Sequence, residues 1–300
     1  MDKFVIEGGP FKVFGEYAVS GSKNACLPIL ASSLLFDKSV EIKNLANVKD
    51  VNTMLTLLQS LGKKIVLSKN KKSVKIYNTK INKVFASYSI VKTMRAGILV
   101  LAPLLAKYKK CITSSPGGCV IGTRPINYHL KALQTMGMKF DIKKGYIYAT
   151  AKNGLKGAHV KFSKISVGAT EQLLLASVLA PGRTILKNCA IEPEILDLIN
   201  FLNTASAQIK FIGRRTIQID GIKSLKSISY SVMGDRIEFG SIAVLAALTQ
   251  GNLKIKGFNP KLIKTELSLL KKIGCKIKIF DEGINIKGVK KIRNINLITG

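Results

Sequence analysis

The sequence predicts an α/β protein made by repeating one supersecondary unit. Three observations carry this. Helical stretches, with apolar residues every three or four positions, alternate with short runs of strand-like character. The whole alternation recurs with a period of about 70 residues. Finally, 300 residues with 47% hydrophobic content suffice for two globular domains with cores of their own.

Each copy opens on a helix-like run of small and apolar residues, at 24–35, 94–106, 169–179 and 237–248. Strand-like runs follow at 39–44, 111–114, 183–188 and 252–257. Next come amphipathic helices at 51–61, 126–136, 195–205 and 262–273, with an apolar stripe at three- and four-residue spacing. Two strands close each copy. The first starts at Gly62, Gly137, Ser206 and Gly274, and the second contains 74–76, 146–148, 217–219 and 284–286. The three glycines stand where a helix ends in a left-handed cap, and Ser206 is the exception. Four βαβαββ-like copies in this order predict helices layered on short-stranded sheets.

Composition narrows the function classes. The formal charge is +31, carried by 41 lysines and seven arginines. The lysines are scattered in ones and twos from Lys3 to Lys291, with no dense tail and no interleaved aromatic platform. Nucleic-acid readers rely on arginine forks and stacking aromatics, so a basic nucleic-acid-binding protein ranks third among the readings. A general positive field still draws in small anionic substrates. Five cysteines with no Cys-x-x-Cys pair argue against a disulfide framework or a zinc ribbon, and no metal site is expected. The most apolar stretch, 96–106, contains Pro103 and falls well short of the roughly 20 residues that span a bilayer. The first 21 residues lack the pattern of a secretory signal. The expectation is a reduced, cytoplasmic chain without a membrane partner.

The chemistry concentrates at 115–124, S-P-G-G-C-V-I-G-T-R. Pro116, Gly117 and Gly118 allow a sharp turn that leaves Cys119 open, and Arg124 supplies a cation that favours the thiolate. The same arginine can hold a phosphate or carboxylate. By residue type alone, a tight turn with an incidental cysteine explains these residues equally well. Cys26, Cys111, Cys189 and Cys275 sit among apolar residues and read as small core hydrophobes. Lys23 and Lys164 read as solvated surface, His129 as a packing residue, and Ser166 and Thr170 as helix caps. Asp235 and Glu238 read as capping groups or as partners of Arg236.

Dispersed motifs in fixed order change those odds for some positions. They are I-E-G-G at 6–9, S-G-S-K-N-A at 20–25, V-K-T-M-R-A at 91–96, and S-P-G-G-C-V-I-G-T-R-P at 115–125. L-K-G-A-H at 155–159, K-I-S-V-G-A-T at 164–170, E-P-E-I at 192–195 and D-R-I-E at 235–238 complete the set. With them the chain resembles the UDP-N-acetylglucosamine enolpyruvyl transferase (1-carboxyvinyltransferase) family. The sister shikimate-pathway transferases share the fold but lack the cysteine loop.

The resemblance implies an inside-out α/β barrel of repeated βαβαββ units, four of the expected six being present. It implies an incomplete first domain, 1–21 plus 234–300, and a complete second domain, 22–233. It implies transfer of the enolpyruvyl group of phosphoenolpyruvate to the 3-hydroxyl of UDP-N-acetylglucosamine with release of phosphate, without a metal or organic cofactor. This is the first committed step of peptidoglycan synthesis. Carried over by residue, Cys119 would protonate the methylene carbon and form an adduct. Lys23 and Arg124 would bind phosphate and carboxylate, and Asn24 would bond the sugar. Arg95, the run Arg124, Pro125, Ile126, Asn127 and Tyr128, and the run Lys164, Ile165, Ser166, Val167 and Gly168 would line the nucleotide-sugar site. The two units without a counterpart here would carry an aspartate base, an aromatic wall and a second arginine. A separate chain supplying them is therefore an expected partner, and a non-catalytic remnant is the alternative reading.

Overall fold

A computed structural model describes residues 3, 5, 7, 9, 11–79, 81, 83–114 and 126–296. The first copy of the repeat comprises α1 (Lys23–Ser32), a 3-10 turn (Ser33–Leu35), β2 (Val40–Lys43), α2 (Lys49–Ser60), β3 (Lys64–Leu67) and β4 (Ser73–Tyr77). Ahead of it lies β1 (Phe14–Ala18). The second copy runs through β5 (Phe85–Ala86), α3 (Tyr88–Val91), a 3-10 helix (Arg95–Val100), α4 (Leu101–Tyr108), β6 (Lys110–Ser114), α5 (Asn127–Thr135), β7 (Lys139–Lys143) and β8 (Tyr146–Thr150). The third runs through β9 (His159–Lys161), α6 (Val167–Ser177), β10 (Arg183–Lys187), α7 (Pro193–Thr204), β11 (Gln208–Gly213) and β12 (Thr216–Asp220). The fourth runs through β13 (Ser229–Ser231), α8 (Arg236–Leu248), β14 (Asn252–Lys256), a 3-10 turn (Pro260–Ile263), α9 (Lys264–Lys272), β15 (Lys276–Phe280) and β16 (Gly283–Lys287). The α/β repeat read from the sequence is thus present four times.

Each copy owns one four-stranded sheet of the same design, and the four orders are β13-β2-β4-β3, β5-β6-β8-β7, β9-β10-β12-β11 and β1-β14-β16-β15. A leading edge strand runs parallel to the strand after the first helix, and the remaining pairings are antiparallel. A parallel pair needs a crossover, and in the second and third copies the first helix supplies it. In the second and third copies the leading strand precedes that helix directly. In the first and fourth the leading strands are exchanged. The strand before α1, β1, pairs with β14, whereas the strand before α8, β13, pairs with β2.

That exchange coincides with the division of the chain into two compact units, Met1–Ser22 with Met233–Gly300, and Lys23–Val232. In the first unit the two passing segments are stitched together. Ser22 N–H donates to Met233 O (2.8 Å), Asp235 N–H donates to Ser20 O (2.9 Å), and Gly21 bridges Gly234. Its core sets Phe239, Ala243 and Ala246 of α8 against Ile255, Ile284 and Ile286 of the sheet and Leu267 of α9. Asp235 caps α8, accepting from the N–H groups of Ile237 and Glu238. Glu238 accepts from Tyr17 Oη, Ser20 N–H and Ser20 Oγ, while Arg236 pairs with Glu266 at 3.8 Å. The other face of α8 stays open: Ile237, Val244, Leu245 and Leu248 are exposed.

The larger unit contrasts with this. Its first helices are buried all round, α1 over 25–32 and α6 over 169–177, inside three sheets whose strands alternate buried and exposed residues. A helix buried on every side lies at the centre of a unit, and α6 takes Thr170, Glu171 and Gln172 into that interior. Cys26, Cys111 and Cys189 in this unit, and Cys275 in the other, are all buried and outside any disulfide. Burial raises the thiol pKa of Cys111 and Cys275, and pushes Cys189 up to about 12, so none of these three acts as a thiolate at neutral pH.

Candidate functional site

Every described candidate residue of the larger unit stands at or just before the start of a helix. Lys23 and Asn24 open α1, Arg95 opens the 3-10 helix, Ile126 to Tyr128 enter α5, and Lys164 to Gly168 lead into α6. The first turn of a helix leaves backbone N–H groups without intrahelical acceptors and a partial positive charge, a setting suited to anions.

The start of α6 shows how the sequence builds this. Ser166 is its N-cap: Ser166 Oγ accepts from Ala169 N–H at 3.3 Å, and Ser166 O accepts from Thr170 Oγ1 at 2.8 Å. Thr170 Oγ1 in turn accepts from Ala190 N–H (3.0 Å), pinning the turn to the segment before α7. The cap is held from behind, while Lys164, Ile165 and Val167 face solvent. Exposed branched apolar side chains beside a lysine suit a ligand that is part ring and part anion.

His129 joins three of these helix starts. It lies in the first turn of α5, buried to 4% exposure, with its ring against Gly168. A Cβ on Gly168 would stand 2.9 Å from His129 Cε1, so α5 and α6 approach this closely only because position 168 is glycine. Burial, and then the nearby Arg95 guanidinium, push the imidazole down to about 4, so it is neutral at pH 7. Its Nδ1 is buried without a hydrogen-bond partner among the described residues. The α5 and α6 entries therefore meet at His129, which packs as its sequence reading expects and lies within electrostatic reach of Arg95.

Lys23 has a partner that residue reading alone does not reveal. Its Nζ lies 3.2 Å from Asp50 Oδ2, both side chains being partly exposed, and Asp50 stands in the first turn of α2. Any phosphate held by Lys23 would compete with this carboxylate. Asn24 is exposed beside it. Cys119, Arg124 and Pro125 lie outside the described residues. A further acidic group lies deeper. Glu171 is buried on α6, and burial, reinforced by Glu194 and Glu192, pushes its carboxyl up to about 8. Among the described residues no group of His, Cys, Asp and Glu could hold a metal ion.

Comparison with known proteins places this architecture. The family model for EPSP synthase (3-phosphoshikimate 1-carboxyvinyltransferase) matches residues 8–299. A UDP-N-acetylglucosamine 1-carboxyvinyltransferase of Pelagibacter ubique is 55% identical over 97% of this chain and 69% of its own length. The chain belongs to the UDP-N-acetylglucosamine 1-carboxyvinyltransferase family. A second member, from Geotalea uraniireducens, is 44% identical over the whole chain and 71% of its own length. This carboxyvinyltransferase chain therefore spans about 70% of the relatives it matches. Among solved structures, the enolpyruvyl transferase NikO from Streptomyces tendae superposes with a TM-score of 0.83 at 18% identity, covering 95% of this chain and 68% of its own. An EPSP synthase from Acinetobacter baumannii gives 0.76 at 18% identity, over 97% and 68% respectively. At that identity the two structures establish the enolpyruvyl-transferase fold of this family member. Among the described residues no helix is long and apolar enough to cross a membrane.

Proposed function

We propose that this chain carries the enolpyruvyl-transfer chemistry named for its relatives: it takes phosphoenolpyruvate and UDP-N-acetylglucosamine and releases phosphate, in the cytoplasm, toward peptidoglycan. The observation that carries this reading is the cluster of Arg95, His129 and Gly168 at adjoining helix starts, beside the exposed Lys164, Ile165 and Val167. A diphosphate would meet the α6 backbone N–H groups and Arg95, with Asn127 and Tyr128 at its rim. Lys23 and Arg124 would neutralise the phosphate and carboxylate of phosphoenolpyruvate, the lysine exchanging Asp50 for substrate. Cys119 would act as the acid, since a thiol with a cation beside it titrates close enough to neutral pH to donate a proton. The domain division at 22–233, with 1–21 and 234–300 apart, belongs to the same proposal.

The open apolar face of α8 favours a requirement for more polypeptide. In the proposal, two further repeat units, in the same or a separate chain, cover Val244, Leu245 and Leu248 and complete the site. Without them the chain binds substrate but turns over little. Phosphate release from the two substrates tests this, with and without a polypeptide corresponding to the remaining third of a relative. The added polypeptide should restore turnover, Cys119→Ser should abolish it, and Cys119→Asp should retain part. An epoxide phosphonate should label Cys119 once, and equal labelling of Cys26 or Cys111 would refute the thiol assignment.

A further inference from the structure

The helix that begins at Arg95 changes type partway along. Arg95–Val100 is 3-10, and α4 continues from Leu101 as α-helix. In an unbroken α-helix Ala102 N–H would donate to Ile98 O. Here Leu101 N–H takes Ile98 O instead, with 3-10 spacing. The side-chain amide of Gln172 occupies the opened rung: its Nε2 donates to Ile98 O at 2.7 Å, and Ala102 N–H donates to its Oε1 at 3.2 Å. Gln172 is fully buried on α6. Pro103 removes the next donor, so Leu99 O has no N–H four residues on. A side chain inserted into the ladder and a proline together account for the change of helix type.

Gln172 follows Gly168 by four residues, so both lie along one face of α6. One of them seats His129, and the other holds the helix whose head is Arg95. We propose that Gln172 is a positioning residue: by keeping the 98–102 rung open it sets where Arg95 enters the cluster with His129 and Gly168. Closing the rung would let the six-residue 3-10 segment relax to α-helix. The segment would shorten by about 3 Å and rotate its head by roughly 120°, enough to withdraw a guanidinium from a ligand. This inference rests on the nucleotide-sugar reading of the cluster.

The test uses the full chain with uridine diphosphate as the calorimetric probe, and follows the imidazole protons of its two histidines, His129 and His159, by NMR. In Gln172→Met, which keeps length and loses the amide, the dissociation constant should rise about tenfold. The His129 titration should move upward as Arg95 leaves, which loss of packing alone would not produce while His129 stays buried. A folded Gln172→Met with both readouts unchanged overturns the proposal. Should that variant fail to fold, Gln172→Glu decides: its ionised carboxylate cannot donate to Ile98 O, whereas its protonated form can. Affinity that recovers on acidification relative to the parent supports the role, and parental affinity at every pH overturns it. If the parent itself fails to bind the probe, the nucleotide reading falls, and the His129 titration still decides the role of Gln172.

Discussion

Single residues in this chain sit in positions whose cost can be measured. Gly62, Gly137 and Gly274 end the amphipathic helices of their copies with φ near +106°, +104° and +111°, and Ser206 occupies the equivalent place at +76°. A side chain in that region is strained, and glycine is the residue that adopts it freely. Ser206→Gly should therefore stabilise the larger unit by up to about 1 kcal/mol, read as a rise in melting temperature of roughly 2 to 4 °C. An unchanged or lower melting temperature would refute the assignment. Glu171 carries a cost that depends on pH. Its carboxyl titrates near 8 in the folded chain and in the usual carboxylate range when unfolded, so between those values the folded state holds the extra proton. Its contribution is complete below about pH 4.5 and is lost as pH rises through 8. Glu171→Gln should match the parent at pH 4.5 and exceed it increasingly up to pH 8 in chemical denaturation. A constant difference across that range would contradict the shift.

At the scale of elements, legibility follows length and locality. The amphipathic helices α2, α5, α7 and α9 and the paired strands of each copy are legible because four or more residues display a period. The leading strands are not. β5 has two residues and β9 and β13 have three, too short for alternation to register, and the pairings of β5 and β9 span a crossover helix. The exchange of β1 and β13 between sheets is likewise invisible locally, because β1 meets β14 more than 200 residues away. The 94–106 helix was legible as a helix but not as a 3-10 and α hybrid, since the amide that opens it comes from Gln172, over 70 residues on. Motif spacing nominated the candidate site residues, and only packing places His129 against Gly168. Nothing near Lys23 in the chain announces its pairing with Asp50.

For the whole molecule, charge and modularity each make a prediction. Lysines scattered over the surface attract duplex DNA through counterion release alone. Binding should be indifferent to sequence and vanish at moderate salt, and sequence-selective binding that survives physiological salt would promote the nucleic-acid reading. Modularity is the sharper case. The larger unit closes its sheets only if β13 is included. Ser229 to Ser231 pair with Glu41 to Lys43 of β2, Tyr230 Oη donates to Asp197 Oδ1 at 2.7 Å, and the Tyr230 ring meets the Phe201 ring edge-on at 5.3 Å. A fragment covering 23–232 should therefore unfold in one cooperative transition, because it is a compact unit that buries its own first helices α1 and α6. A fragment ending at residue 226 loses the edge partner of β2 and the aromatic and hydrogen-bond contacts of Tyr230. It should melt several degrees lower and associate through the bared edge, visible as concentration-dependent light scattering. Equal stability of the two fragments would mean that β13 is an ornament of the sheet, and that the exchange of leading strands does not mark the division between units.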